Sequence, residues 1–240
     1  SGAWGNHEGS LLLWLLVLGK GIGASIDEDD GFAGVPYELF IFPGILTMTV
    51  LFQSVFYGLY IVWDRKIDFL KEVLAAPLNR STVFLGKCLG GVTDSMIQVT
   101  IIIVLGLFIF PEINYTLQSI MLVYLYLFLL AIIMTSLGLI IGSQMDSPEG
   151  FSLITSLVVF PMYFLSGALF LKKNLIEEAP VIYWLTAINP ASYAVDAIRY
   201  TMIPEDIFLE FGLARDFTVL IGFCIFLLAL GTQCFKTMRL

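Results

Sequence analysis

Hydrophobic residues arrive in this chain as long blocks, not in alternation with polar ones. The blocks lie at about 11–26, 39–63, 89–110, 117–143, 151–171 and 217–235. Roughly 20 consecutive apolar residues carry an α-helix across the hydrocarbon core of a bilayer. A spanning helix also satisfies its own backbone hydrogen bonds, which lipid cannot do. The blocks therefore predict an all-α, polytopic membrane protein with six transmembrane helices. Leu39–Trp63 is the clearest of them, with 25 residues and no formal charge. The first is short for a crossing and is interrupted by Gly19, Lys20, Gly21 and Gly23. In the fifth, Pro161 is placed to kink the helix and Gly167 to break it.

The polar intervals are as informative. Asp64–Lys87 holds five of the chain's twelve Lys and Arg residues. On a helical projection Phe69, Leu70, Val73, Leu74 and Pro77 share one side, and Asp64, Arg65, Asp68, Lys71 and Glu72 the other. Such a helix lies in the headgroup plane or docks on a protein at the membrane surface. Its polar face mixes both signs of charge, whereas membrane-surface helices favour a basic one, which tilts the choice toward a partner. Between the fifth and sixth blocks, 179–203 carries an uncharged stretch broken at Asn189-Pro190. Two short helices dipping into the interface as a re-entrant hairpin suit that pattern.

Composition agrees with the blocks. The chain is 58% hydrophobic and 13% charged, with a mean hydropathy of +0.91, where a soluble domain carries about 25% charged residues. A net charge of −8 argues against nucleic acid as a partner. Cys88, Cys224 and Cys234 lack metal-ligand spacing, and His7 is the single histidine, so no metal site is expected. The acidic patch Asp27–Asp30 reads as a solvated loop. Residues 1–10, beginning Ser1-Gly2-Ala3, read as a tag or a truncated start.

Lys and Arg counts set the orientation. Five lie in the 64–87 interval and two at the C-terminal end, against Lys20, Lys172, Lys173, Arg199 and Arg215 in longer, more acidic opposite segments. The rule that positive segments stay inside then places the loop and both termini in the cytoplasm, in the plasma membrane.

Two stretches resemble a known family. Asp64–Lys87, read as DR-x-x-DFL-x-EVL-x-AP-x-x-R-x-x-x-x-GK, resembles the cytoplasmic loop of ABC type-2 transporter permeases of the daunorubicin-resistance and nodulation-export type. FPMYFLSGALF (Phe160–Phe170) followed by INPASYAVDAIRY (Ile188–Tyr200) resembles the fifth helix and external hairpin of the same family. Leu171, Lys172 and Lys173 stand where a proline is common. The resemblance covers about 11–240 and implies one permease domain that works as a dimer of two permease chains in membrane lipid. It also implies a separate ATP-binding cassette subunit on the cytoplasmic side. The short helix at about 67–76 would be the coupling helix seated in that subunit, through Asp68, Leu70, Lys71, Glu72, Leu74 and Pro77.

No phosphate-cradling G-x-x-x-x-G-K-[ST] loop is present: Gly86-Lys87 has Ser81 in the first glycine's place and Cys88 after it, and Gly19-Lys20 fails similarly. No cofactor is expected in this chain. ATP and Mg belong to the partner subunit, and the chain is a transport subunit rather than an enzyme.

Gln53, Tyr57 and Gln98 are polar positions in the blocks, read as interhelical hydrogen-bonding groups or as lining of a substrate pathway. Asp94 is a proton-relay candidate, although solvation or pairing with Lys87 is the preferred reading. At the outer side, Gly167, Asn189, Pro190, Asp196 and Arg199 form a candidate external gate, with Arg199 facing Asp196 or serving as an ordinary helix-end cation. The Gly86/Gly90/Gly91 and Gly138/Gly142 patterns permit close helix approach. The reading is an exporter subunit moving an amphipathic, drug-like or lipid-linked molecule. A secondary transporter or channel is the alternative, but the halves of the chain do not mirror each other. A lipid-processing enzyme lacks a clustered nucleophile and base.

Overall fold

The computed structural model describes residues 35–67, 79–169, 180–203 and 211–237. Among them are eight helices and no strand: α1 (Tyr37–Phe56), α2 (Leu59–Lys66), α3 (Arg80–Ile109), α4 (Leu117–Gln144), α5 (Pro148–Phe164), α6 (Pro180–Ile188), α7 (Pro190–Met202) and α8 (Leu213–Thr237). Four runs are long and apolar enough to cross a bilayer: α1 with α2 (Tyr37–Lys66), α3, α4 and α8. The predicted first span at 11–26 lies outside the described residues, as do Asp68–Leu78.

Local chemistry sets the helix starts. The Thr116 side chain accepts from Ser119 N–H at 3.3 Å to open α4. Ser147 accepts from Gly150 N–H at 3.0 Å, and Pro148 supplies a first-turn residue without a donor, to open α5. Asn189 and Pro190 repeat the device at α7, with Asn189 Oδ1 accepting from Ala191 N–H at 3.0 Å. Each cap satisfies a backbone donor that would be costly to leave bare near lipid.

The boundaries depart from the expected ones in two instructive places. α3 begins at Arg80, nine residues before the predicted 89. Val83, Phe84 and Cys88 are buried on the bundle, so this charged-looking turn is held by tertiary packing rather than by local hydropathy. α5 stops at Phe164, short of the predicted 171, and Gly167 adopts φ 75°, the left-handed region that favours glycine. The predicted break at Asn189-Pro190 is where α6 gives way to α7. α7 is also packed into the bundle: from Pro190 to Met202 all but Tyr200 is buried, against α1, α4 and α8.

α4 is apolar all round and contacts α1, α2, α3, α5, α7 and α8, the position that such a helix requires. Its closest neighbour is the α1–α2 junction, where backbone meets backbone. A Cβ on Gly138 would collide with the Val55 carbonyl, and one on Gly58 with the Gly138 carbonyl. Gly142 in turn abuts the Gly58 carbonyl. The Gly138-x3-Gly142 pattern is thus a contact within one subunit.

Gly86, by contrast, has nothing within 4 Å of an added Cβ. Gly138→Val is therefore expected to lower the stability of the detergent-solubilised protein by about 2 kcal/mol or more, within the range typical of overpacking. Gly86→Ala is expected to leave it unchanged or raise it by up to about 1 kcal/mol. Reversible SDS titration reads both, and similar effects at the two positions would remove the special role of the α1–α4 contact.

Candidate functional site

The described ends of the 64–87 segment are anchored to each other and to the bundle. Lys87 Nζ donates to Asp64 Oδ2, closing the two flanks of the segment. Of the two sequence expectations for Asp94, solvation or pairing with Lys87, the pairing is not formed, because Lys87 is taken by Asp64 across the loop, and Asp94 is half-buried. Arg65 then reaches the far end of α4: its guanidinium donates to Ser143 O at 2.7 Å, Met145 O at 3.2 Å and Asp146 Oδ1 at 3.1 Å. The last carbonyls of a helix have no partners within it, so a cation is favoured there. On the other flank, Arg80 Nη1 donates to Lys236 O at the end of α8 at 3.3 Å. Of the residues predicted to dock on a partner, Asp68, Leu70, Lys71, Glu72, Leu74 and Pro77 all lie outside the described residues.

Above this end runs a polar seam between α1–α2 and α3. The helices are antiparallel, with Asp64 opposite Lys87, Tyr57 against Gly90 and Gly91, and Ser54 hydrogen-bonded to Ser95 at 2.7 Å. The missing side chains at Gly90 and Gly91 let the Tyr57 ring and hydroxyl lie on the α3 backbone. Tyr57 also meets Tyr60 edge-on, with centroids 5.0 Å apart. Gln53 is one turn from Tyr57, and Gln98 is one turn from Ser95. All three predicted pathway residues, Gln53, Tyr57 and Gln98, are half-buried. Asp94 joins them, close enough to Tyr57 to act on it electrostatically.

The opposite end is organised by Arg199. It is 3% exposed, its guanidinium lies 3.8 Å from the Phe40 ring centroid, and Nη2 donates to Gly167 O and Ala168 O, each at 3.0 Å. A guanidinium suits this place because it stacks flat on an aromatic face while its edge donates. The left-handed Gly167 turns the chain after α5 so that two carbonyls point at one cation. Asn189 adds a second tie, donating from Nδ2 to Met162 O at 2.6 Å. Asp196 Oδ2 accepts from Phe211 N–H at 2.9 Å, fixing the entry to α8. All five predicted gate residues thus fall at one end, where they link α1, α5, α7 and the α8 approach.

Nearby, the 110–116 connection is held by Asn114 N–H donating to Met202 O at 3.0 Å. Burial pushes the Tyr115 hydroxyl up to about 12.

Sequence reasoning missed Arg65, Ser54, Ser95 and Phe40 as parts of these sites. Arg65 carried a usable signal, a cation at the end of a span facing a short loop. The serine pair and Phe40 carried none, because their partners are distant in sequence. Among the described residues no group of His, Cys, Asp and Glu could hold a metal ion.

Replacing Arg199 by Lys keeps the charge but loses the stacked plane and the double donation. A loss of about 2 kcal/mol or more in SDS titration is expected, since charged hydrogen bonds at buried sites are typically worth about 1.5–3 kcal/mol. Full stability of Arg199→Lys would show that charge alone suffices.

Comparison with known proteins completes the description. A sequence model of the family described as "ABC-2 type transporter" matches residues 9–203. The chain is 26% identical over 222 residues to the inner membrane transport permease YadH of Escherichia coli (strain K12), covering 90% of this chain and 80% of the relative. It is 27% identical over 190 residues to the putative transport permease ycf38 of Porphyra purpurea, covering 79% and 64%. To nodulation protein J of Neorhizobium galegae it is 25% identical over 207 residues, covering 84% and 75%. With its long apolar helices and a family match across most of its length, the chain is a multi-pass membrane permease belonging to the ABC-2 type transporter family.

Proposed function

We propose that this permease is the membrane subunit of an ATP-driven exporter whose ATP and Mg are bound by a separate cassette subunit. One observation carries the reading: both flanks of the 68–78 segment are tied into the bundle. Asp64–Lys87 joins α2 to α3, Arg65 joins α2 to the end of α4 and to Asp146, and Arg80 joins α3 to α8. A force applied to the segment would reach four long helices at once, as rigid-body displacement requires. The chain's own lack of a phosphate-cradling loop supports an outside source for that force.

In this reading the chain crosses the plasma membrane six times, with both termini in the cytoplasm. Helix 67–76 is the coupling helix, and Asp68, Leu70, Lys71, Glu72, Leu74 and Pro77 seat it in the cassette subunit. Two permease chains enclose the pathway, identical or not, and Gln53, Tyr57 and Gln98 line part of it. The α6–α7 pair is the external hairpin, and the cluster of Gly167, Asn189, Pro190, Asp196 and Arg199 is the external gate, opened when the carbonyls release the guanidinium. Apolar walls with a few polar groups suit an amphipathic, drug-like or lipid-linked cargo. The names of the relatives, a transport permease and a nodulation protein among them, support transport as the activity.

Glu72→Arg, or Leu70→Ala with Leu74→Ala, is expected to abolish co-purification of the cassette ATPase, or to cut permease-stimulated ATP turnover at least tenfold. The permease itself should still fold and insert. Unchanged complex formation and turnover would remove the coupling-helix assignment. A permease that recovers no ATPase when co-expressed with its genomic neighbours would favour the channel.

A further inference from the structure

The polar seam between α1–α2 and α3 contains one carboxylate that no charge among the described residues compensates. Asp64 and Lys87 neutralise each other at its lower end. Asp94 stands seven residues further along α3, about 10 Å deeper at 1.5 Å per residue. It has no hydrogen-bond or ion-pair partner among the described residues. A carboxylate within a spanning helix is costly, by about 2.5–3.5 kcal/mol on insertion scales, and such residues mark functional sites.

Its surroundings specify a chemistry. The Tyr57 ring lies against Gly91, its hydroxyl rests on Gly90 one turn from Asp94, and Tyr60 meets it edge-on with centroids 5.0 Å apart. Gln98 is one turn beyond Asp94 on the same edge. Negative ring faces beside a carboxylate attract an organic cation, the combination that recognises alkylammonium groups. A metal ion would want several oxygen or nitrogen ligands, and the described residues offer no such cluster. The seam is open at its side, since Tyr60 is 46% exposed, and Ile97 and Ile101, 57% and 40% exposed, continue Asp94's face of α3 one and two turns beyond it as apolar surface. That surface suits the hydrocarbon body of the same ligand.

From this arrangement we infer that the seam is a binding site for a cationic amphiphile. Its ammonium group sits between Asp94 and the Tyr57–Tyr60 pair, and its apolar body lies along Ile97 and Ile101. The inference names a cargo class for the exporter and rests on that reading for its role in transport, but not for the binding itself.

The test uses the full chain in lipid nanodiscs. Dodecyltrimethylammonium and dodecyl sulfate, both below their micellar concentrations, are titrated against wild type, Asp94→Asn, Asp94→Glu, Tyr57→Phe and Tyr57→Leu, with empty nanodiscs subtracted. Wild type is expected to bind the cation saturably and in preference to the anion. Asp94→Asn should weaken cation binding at least tenfold and Asp94→Glu should restore most of it. Tyr57→Leu should weaken it several-fold while Tyr57→Phe, which keeps the ring, should not.

Equal cation binding by wild type and Asp94→Asn would overturn the site, as would no saturable cation binding by wild type. A fall of several degrees in the melting temperature of Asp94→Asn with unchanged cation binding would also overturn it, and would assign Asp94 a structural ion pair. ATP turnover of the complex with the cassette subunit is read separately. Loss of the exporter reading appears there as no ATPase in the complex, whereas loss of the cation site appears as turnover that is intact and indifferent to the probe.

Discussion

The backbone contact between the α1–α2 junction and α4 is the constraint on which the other features depend. In lipid, helices gain little from burying apolar surface against each other, so close van der Waals approach and hydrogen bonding must hold them. Gly58, Gly138 and Gly142 permit that approach by removing every side chain between two carbonyl-bearing surfaces. The approach pins α1 and α2 at the centre of the bundle and leaves Tyr57, the neighbour of Gly58, directed at α3. Gly90 and Gly91 then receive the Tyr57 ring and create the polar seam. A bulkier residue at any of these positions would separate the helices and dissolve the seam with them.

The two ends of the bundle are held by arginines that do similar work with opposite consequences. Arg65 bonds the carbonyls that finish α4, so it secures the end from which energy is proposed to enter. Arg199 bonds the carbonyls that follow α5, so it secures the end from which cargo is proposed to leave. Both contacts join a cation on one element to backbone oxygens at the terminus of another. Breaking either costs charged hydrogen bonds without unfolding a helix, which suits a junction that must move as a rigid body. Between them runs the seam of Ser54, Tyr57 and Asp64 against Ser95, Gly90, Gly91 and Lys87, a polar strip between two clasped ends.

Much of this was legible in the chain as written. Continuous apolar blocks, too long and too uniform for soluble helices, determined the all-α membrane class, because a bilayer leaves the backbone few other solutions. Gly167 and Asn189-Pro190 marked breaks that occur where they stand, because their effect is local: one residue tolerates a positive φ and the other cannot extend a helix backwards. The start of α3 was not legible. Its first turns are polar by composition and helical through the burial of Val83, Phe84 and Cys88 against other helices, which no local pattern reports.

Pairings belonged to the tertiary structure alone. Asp94 is the partner that the sequence offers Lys87, and only the antiparallel register of α2 and α3 supplied Asp64 instead, leaving Asp94 without it. Arg199 had a nearby aspartate on its own helix, yet its guanidinium also lies on Phe40 and reaches Gly167 and Ala168, from elements far away in the chain. α7, with a composition suited to an interface, is buried because α1, α4 and α8 leave a slot for it. Hydropathy acts residue by residue and can be read along a line. Charge compensation and burial depend on which surfaces meet, and that is settled only when the helices pack.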